Sequence, residues 1–382
     1  MIALWTTALA AQLTADAAVG HALDQATVVA AEARSDAATW RAWAAGWPDA
    51  PTLEAEWAAV GEAQSLSVAQ PLSLTGQGLA ERQEGAARAA RSEAELTRTR
   101  LEVAAATRSS WARTVEAQQD VLLSEQALEL AVTLRAGAEA RLASGDGSQL
   151  DARLARLHEA EARSSWMAAV EAEGQRLAEL AAWTGLAPEE LELPDDPLAG
   201  MSASPSGTGE RSDLQAAELG VAAAEAQLRA ARRATLPPLE LGAFYEDEDG
   251  EVRAGPTVSV TLPVWRAGAE DRAEALAAYT TARAQAEAAE QAASAEQATT
   301  SSVLDRLEAG SPEADPRAEA RAAWESVSIG YERGELDLLT AGLLREQILD
   351  GQRAWLAGRR VLAEARIAAA LAHEDPALLG PG

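Results

Sequence analysis

Two segments of the chain alternate between apolar and polar residues with a period of two, and each contains two such stretches separated by a turn. The clearer segment covers about residues 238–265, with an acidic turn at 246–251, and the weaker one covers about residues 51–74. The apolar positions are Leu53, Ala55, Trp57, Leu66, Val68, Leu72, Leu239, Leu241, Ala243, Tyr245, Val258, Val260, Leu262 and Val264. Because successive strand residues point to opposite faces, each segment predicts an amphipathic β-hairpin.

A long helical stretch follows each predicted hairpin and ends at a glycine, Gly145 in the first case and Gly334 in the second. Each stretch holds about 70 residues, which at 1.5 Å per residue would reach on the order of 100 Å. Leucines return at helical spacing beyond the glycines, at Leu150, Leu154, Leu157, Leu336, Leu339 and Leu343. The pattern therefore predicts two helical hairpins, each with a tight tip at its glycine.

The two halves of the chain carry the same landmarks in the same order. The matched pairs are Pro48 with Pro237, Pro71 with Pro263, and Gly145 with Gly334. These pairs are 189, 192 and 189 positions apart, and three anchors at nearly one offset are hard to obtain by chance. We therefore interpret the chain as a tandem duplication of one unit, a strand pair followed by a helical hairpin.

The duplication divides the chain into two repeats. Repeat 1 covers residues 13–186 and repeat 2 covers 211–375, and between them lies a linker at 187–210 that is rich in Pro, Gly and Ser. That composition predicts a polar surface loop or a partly disordered segment. Residues 1–12 can be interpreted as a short signal segment that lacks a positive start, or as an ordinary helix start. Residues 376–382 form a C-terminal tail.

The descending helix of the second copy differs from that of the first. The segment 310–316 contains Gly310, Pro312 and Pro316 inside the predicted helix. Proline removes a helical hydrogen bond and clashes with the preceding turn. We therefore expect this helix to be bent, looped or remodelled before its tip.

The composition excludes most catalytic chemistries. The chain has no cysteine, and all 32 of its basic residues are arginine, which excludes thiolate metal sites, disulfides, P-loop lysines and Schiff-base lysines. Its three histidines, His21, His158 and His373, are scattered, and its formal net charge of −28 argues against nucleic-acid binding. The acids at 246–251 could bind divalent cations, although a solvated turn is the simpler interpretation. We expect no enzyme activity, no cofactor and no metal.

The order of these elements resembles the TolC-like outer-membrane efflux channel family. The segments that carry the resemblance are Gln70–Leu72, Leu262–Val264, Arg141–Gly145 with Asp151, Tyr331–Leu339 and Leu177–Leu186. It extends over roughly residues 13–375. The resemblance implies a mainly α protein with short β-strands, in which a duplicated β-hairpin plus a long α-helical coiled-coil hairpin makes a TolC-like α/β barrel protomer.

The resemblance also implies an assembly and a place in the cell. A homotrimer would share one barrel in outer-membrane lipid, and its helices would form a tunnel in the periplasm. Such a channel is the passive exit duct of a tripartite efflux or secretion system, with a periplasmic adaptor (membrane-fusion) protein and an inner-membrane pump as partners. The strands agree in part, because the two hairpins of one chain are too few to close a barrel.

The resemblance assigns two groups of residues near the tips. Those implied to dock the adaptor are Arg141, Ser144, Gly145 and Gly334, and those implied to make contacts at the aperture are Asp151, Tyr331, Arg333, Asp337 and Thr340. Thr340 stands where the family's second repeat often carries an acid, so Asp151 would be the acid of the tip. Each of these residues can also be interpreted as a solvated helix end or a helix cap without a partner.

The residues by themselves leave a second function open. The hairpins could pair in a small aqueous sheet, and the chain would then be a soluble structural coiled-coil scaffold without transport activity. The alternating strand faces favour the channel, because isolated hairpins are marginal in water. The weak signal segment favours the scaffold.

Overall fold

A computed structural model of the chain describes residues 13–45, 47, 50–57, 64–72, 76–191, 193–197, 211–234, 239–248, 251–260, 268–311 and 315–380. The predicted signal segment at 1–12 lies outside the described residues, as do residues 198–210 of the predicted linker and the strand positions Leu262 and Val264. The chain forms two compact units. We call Val29–Thr99 with Glu210–Ser294 the strand unit, and Met1–Val28, Arg100–Gly209 and Ala295–Gly382 the tip unit.

Most of the described residues are helical, which confirms the predicted fold class. The helices are α1 (Ala15–Leu23), α2 (Ala26–Ala44), α3 (Gln77–Ser144), α4 (Gln149–Thr184), α5 (Ser212–Arg233), α6 (Ala269–Gly310), α7 (Arg317–Glu332) and α8 (Leu338–Ala372). Short 3-10 turns lie at Pro188–Glu190 and Pro376–Leu379. None of the described helices combines the length and the apolar character that crossing a membrane requires. The boundaries of the two repeats stay predictions.

The strand unit contains one four-stranded antiparallel sheet in the order β1-β2-β3-β4. The strands are β1 (Thr52–Trp57), β2 (Gln64–Leu72), β3 (Leu239–Glu248) and β4 (Glu251–Val260). Leu53 is paired with Val68, Val68 with Ala243, and Ala243 with Pro256. This register places the apolar positions of all four strands on one face, as the alternation predicts. The opposite face carries Glu54, Glu56, Ser65, Ser67, Glu240, Glu246, Thr257 and Ser259.

The acidic turn was predicted to be longer than it is. Glu246 pairs with Arg253, and the ladder continues to the pair Glu248 and Glu251. The acids at 246–248 therefore belong to strand β3, because cross-strand pairing extends almost to the end of the hairpin. Only Asp249 and Gly250, between the two strands, lie outside the described residues.

The descending helix of the second copy is interrupted where its prolines predict. The helix α6 ends at Gly310 and α7 begins at Arg317, whereas α3 runs through 68 residues without a break. Contacts of Arg317 fix the first turn of α7. Its side chain bonds to Asp315, and its guanidinium lies 5.1 Å from the ring centroid of Trp355. The interruption is thus anchored by specific contacts within the tip unit.

The core of the tip unit forms around Trp111, which is fully buried and donates a hydrogen bond to the Leu13 carbonyl oxygen at 3.1 Å. Leu191 and Leu193 pack into the same cluster. The described residues of the predicted linker, 187–191 and 193–197, include exposed positions, as a surface loop should, but its two leucines are buried against the helices. The predicted C-terminal tail is also ordered through Leu379, with Leu378 buried.

Candidate functional site

The first hairpin tip is a glycine reversal between α3 and α4. Gly145 has φ +85°, in the left-handed region where glycine is favoured. The backbone amides of Asp146 and Gly147 both donate to the carbonyl oxygen of Arg141, each at 2.9 Å. The Ser144 hydroxyl donates to the same oxygen at 3.0 Å. The Arg141 carbonyl oxygen thus accepts three of the hydrogen bonds that close the turn, and the Gly145 amide donates a further one to the Leu142 carbonyl oxygen at 3.2 Å.

The second tip, between α7 and α8, has the same construction 189 positions later. Gly334 has φ +77°, and the amides of Glu335 and Leu336 donate to the carbonyl oxygen of Gly330 at 2.8 and 3.1 Å. Arg333 is exposed and forms the C-terminal end of α7. The two tip glycines, which are 189 positions apart in the sequence, therefore lie in turns with equivalent hydrogen bonds.

Side chains cap the helix that leaves each tip. The Ser148 hydroxyl accepts from the Asp151 amide at 3.0 Å, and the Asp337 carboxylate accepts from the Thr340 amide at 2.7 Å. Hydrogen bonds from the amide and the side chain of Thr340 hold the pKa of Asp337 below its ordinary value. Ser148 and Asp337 are repeat equivalents, and so are Asp151 and Thr340. The Asp337 carboxylate is therefore bound to its own helix end.

Arg141 and Tyr331 join the two tips within one chain. The Arg141 guanidinium lies 4.6 Å from the centroid of the Tyr331 ring and donates a hydrogen bond to the Tyr331 carbonyl oxygen. The geometry combines a cation–π contact with a charged hydrogen bond. Both residues were predicted from the sequence as separate tip positions, one for docking and one for the aperture. The structure brings them together.

Tyr331 is buried, at 2% exposure, and packs against a glycine of α3. A Cβ atom at Gly137 would lie 2.7 Å from the Tyr331 Cε1 atom, so the ring occupies the space that a side chain would need. Burial raises the pKa of Tyr331, and the charge of Asp151 acts in the same direction while Arg141 opposes them. The Tyr331 ring is therefore a contact inside the chain. Asp151 is exposed at the tip.

The sequence patterns missed two features of the tips. Gly137 lies inside a long helix, where nothing in the sequence marks it as the partner of an aromatic ring. Leu150 and Leu339, which are repeat equivalents, are 64% and 61% exposed on the first turns of α4 and α8. Their spacing predicted only that a helix resumes after each glycine, and both side chains leave apolar surface beside the tips.

The apolar face of the sheet is a second candidate surface, and it lies in the strand unit. Its residues remain exposed, among them Leu53 at 67%, Val68 at 42% and Val258 at 67%. A continuous exposed apolar face on paired strands is typical of a surface that contacts a partner or lipid. Among the described residues, no group of three or more His, Asp or Glu side chains could hold a metal ion.

The chain is similar in structure to outer-membrane proteins of known structure. The outer membrane protein VceC of Vibrio cholerae matches with a TM-score of 0.76 and 19% identity, over 94% of this chain and 96% of that one. A membrane protein from Pseudomonas aeruginosa matches with a TM-score of 0.76 and 20% identity, over 94% and 93% of the two chains. The CmeC outer membrane channel of Campylobacter jejuni matches with a TM-score of 0.75 and 15% identity, over 96% and 87%.

At these identities the similarity concerns the fold. No protein-family model matches the sequence, and the search of curated proteins found no match. The structural matches nevertheless extend over 94–96% of this chain and 87–96% of the other chains. The chain therefore has a TolC-like fold, as the resemblance of its sequence implied.

Proposed function

We propose that this chain is the outer-membrane channel of a tripartite efflux or secretion system, a passive exit duct for small molecules or other exported cargo. It acts as a homotrimer whose sheets form one barrel in the outer membrane and whose helices form a tunnel in the periplasm. The observation that carries the proposal is the exposed apolar face that the four strands share in register. The TolC-like fold supports it.

The two faces of the sheet suit a barrel wall. An apolar face can contact lipid, while the opposite face, with Glu54, Glu56 and Glu240, can line a water-filled interior. Among the described strands, β1 and β4 each have a neighbour on one side only. Unpaired strand edges are not tolerated in lipid, so the sheet needs further strands from other copies.

The tips suit a docking surface for a periplasmic adaptor that connects to an inner-membrane pump. Leu150 and Leu339 give each tip an exposed apolar residue next to its glycine turn. Because the two turns have equivalent hydrogen bonds, each chain offers two similar docking sites. The docking roles of Arg141, Ser144, Gly145 and Gly334 and the aperture roles of Asp151, Tyr331, Arg333, Asp337 and Thr340 belong to this proposal.

A matched pair of arginine substitutions on strand β2 tests the function. Val68 lies on the apolar face, and its neighbour Ser67 lies on the polar face of the same strand. Arginine on a lipid-facing position near the bilayer centre costs about 2–4 kcal/mol, whereas the lumen face tolerates charge. We expect Val68→Arg to reduce the trimer recovered from purified outer membranes strongly, and Ser67→Arg to leave it near the wild-type amount.

Two results would contradict the proposal. One is a wild-type protein that fractionates as a water-soluble monomer, as the coiled-coil scaffold would. The other is an equal yield of membrane trimer from both arginine variants, since a lipid-facing surface must distinguish them. Far-UV circular dichroism of each purified variant checks that the helical content is unchanged.

A further inference from the structure

The end of α2 carries a cluster of exposed tryptophans. Trp40, Trp43 and Trp47 are 69%, 61% and 59% exposed. Their ring centroids are 6.0 Å apart for the first pair and 4.8 Å apart for the second, so the three indoles form one surface. A cluster of exposed aromatic side chains is typical of an interaction site.

The tryptophans lie on the side of α2 that faces away from its neighbour in the chain. The inner side of α2 packs on α3, because a Cβ atom at Gly85 would lie 2.9 Å from the Ala45 Cβ and 3.0 Å from the Ala42 Cα. At about 100° per residue, Trp40 and Trp43 project from the opposite side of the helix. The tryptophan face is thus the outer edge of the helices in the strand unit.

The helix α6 has a matching outer edge made of small residues. Its inner side is marked by Ala275 and Ala293, which are 2% and 3% exposed. The exposed alanines on the opposite side are Ala273, Ala277, Ala284 and Ala288. Methyl groups along one side of a helix leave room for large side chains of another helix to approach its backbone.

The internal duplication relates these two edges to a contact that exists inside the chain. The helices α2 and α5 end 189 positions apart, and α3 and α6 begin 192 positions apart. The contact of α5 with α3 is therefore the repeat equivalent of a contact of α2 with α6. In the chain, Arg229 of α5 donates to the Gln83 side chain of α3 at 3.3 Å, and Arg233 donates to the Gly76 carbonyl oxygen at 2.6 Å.

The equivalent positions identify the level along α6 at which Trp40 would lie. Trp40 corresponds to Arg229, and Ala275 corresponds to Gln83. Ala275 itself is buried inside the chain, so the exposed residue that Trp40 can meet at this level of α6 is Ala273, on the opposite side of the helix. The two helices run in opposite directions. Val29, which is 11 residues before Trp40, therefore lies beside Ala284, which is 11 residues after Ala273.

We propose that the tryptophan face of α2 packs against the alanine side of α6 of a second copy of this chain, with Trp40 and Trp43 as the anchors. The proposal rests on the proposed channel assembly and names the residues that hold its copies together. The contact joins two different surfaces, so it is heterologous and can close into a ring.

The open edges of the sheet point to the same neighbour. Strand β1 follows α2 in the chain, and β4 precedes α6. When β4 of one copy pairs with β1 of the next, α6 of the first copy comes beside α2 of the second. Strand pairing and helix packing then form one continuous interface between the two copies. Inside the chain the equivalent contact is polar and made by arginines, whereas between copies it is apolar and made by indoles.

Disulfide cross-linking tests the contact directly, because the chain has no cysteine of its own. The double variant Trp40→Cys with Ala273→Cys, purified in detergent and oxidised, should give disulfide-linked dimers and closed trimers on a denaturing gel. A second pair, Val29→Cys with Ala284→Cys, keeps every tryptophan and should give the same products. Each single variant should stay monomeric on the gel, since a heterologous contact never brings equal residues together.

The control pair replaces Ala273 by its exposed neighbour Glu274. Trp40→Cys with Glu274→Cys places the second thiol about 100° around α6 and should cross-link at least tenfold less. A protein that is trimeric and conducts ions but gives no cross-link with either test pair would overturn this proposal and leave the channel function standing. Quenching of its tryptophan emission by brominated lipid would then assign the face to the membrane. A protein that is monomeric before oxidation would overturn both.

Discussion

The Arg141 guanidinium lies over the ring of Tyr331, 4.6 Å from its centroid, and donates to the Tyr331 carbonyl oxygen. The two residues are 190 positions apart and belong to different helical hairpins. This contact connects the two tips of one chain, and it can be tested separately from any contact between chains.

Removing the guanidinium should loosen the second tip. In Arg141→Leu the charged hydrogen bond and the cation–π contact are both lost, which we expect to cost about 2 kcal/mol. Amide hydrogen exchange at residues 330–338 should become about thirtyfold faster. The control Tyr331→Phe keeps the aromatic face and the backbone carbonyl, so its exchange should stay close to wild type. Equal exchange in all three proteins would contradict the contact.

Substitution by alanine should destabilise the protein at a tip glycine and stabilise it at a glycine inside a helix. A Cβ atom at Gly145 meets no atom within 4 Å, so the cost of Gly145→Ala comes from its φ of +85° and amounts to about 1–2 kcal/mol. Gly351, in α8, also has open space. There alanine should stabilise by about 0.5–1 kcal/mol. Urea unfolding of the two variants should give midpoints on opposite sides of the wild-type midpoint.

A buried arginine fastens both ends of the chain to α3. The Arg108 side chain donates to the Leu378 and Ala377 carbonyl oxygens at 2.9 and 3.0 Å and also bonds to Asp16. Arg108→Met leaves these acceptors without the guanidinium and should destabilise the tip unit by about 2–4 kcal/mol.

The control for Arg108 lies on the same helix. Arg113 pairs with Glu364, and its side chain is 45% exposed, so Arg113→Met should cost less than about 1 kcal/mol. Denaturant midpoints of the two variants separate the effects. Similar midpoints would contradict the stabilising role of the Arg108 hydrogen bonds.

Stability should fall as the solution becomes acidic. The side-chain hydrogen bond from Arg317, together with the amide of that residue, holds the pKa of Asp315 below its ordinary value, although burial opposes it. A carboxyl group whose pKa is lower in the folded state stabilises the fold above its unfolded pKa of about 3.9 and loses that contribution as the pH falls. Asp337 acts in the same direction. Burial raises the pKa of Glu116, despite its pairing with Arg360, and so partly offsets this trend.

Two substitutions separate the acid effect from the loss of a contact. Asp337→Ser places at the second tip the cap that Ser148 provides at the first, so the helix end should stay capped while the acid sensitivity decreases. Asp315→Asn should flatten the dependence of the melting temperature on pH between about 5 and 3. An unchanged slope in a protein that carries both Asp315→Asn and Asp337→Ser would show that these carboxylates do not control the pH dependence.

Much of the fold could be predicted from the sequence because its signals are local. The period of two in the strands, the two tip glycines and the prolines near Gly310 each act on the residues next to them. The sequence therefore predicts the face on which Val68 lies and the interruption between α6 and α7. Both features are present in the structure.

The remaining features depend on contacts between distant residues. Nothing near Tyr331 indicates that Gly137 leaves space for its ring, and nothing near Leu191 indicates that it packs with Trp111. The segment at 187–197 looks polar because its acids outnumber its leucines, yet burial of two leucines determines where it lies. The cap at Asp337 depends on where α8 begins, and it agrees with the interpretation of this residue as a helix cap; its role at the aperture stays a prediction.

The most direct test of the channel is the conductance of the purified protein. The wild-type protein, extracted from outer membranes in detergent, should have the mass of three chains and should give stepwise ion currents when it is inserted into a planar lipid bilayer. A preparation with the mass of one chain, recovered from the soluble fraction and silent in the bilayer, would contradict the account.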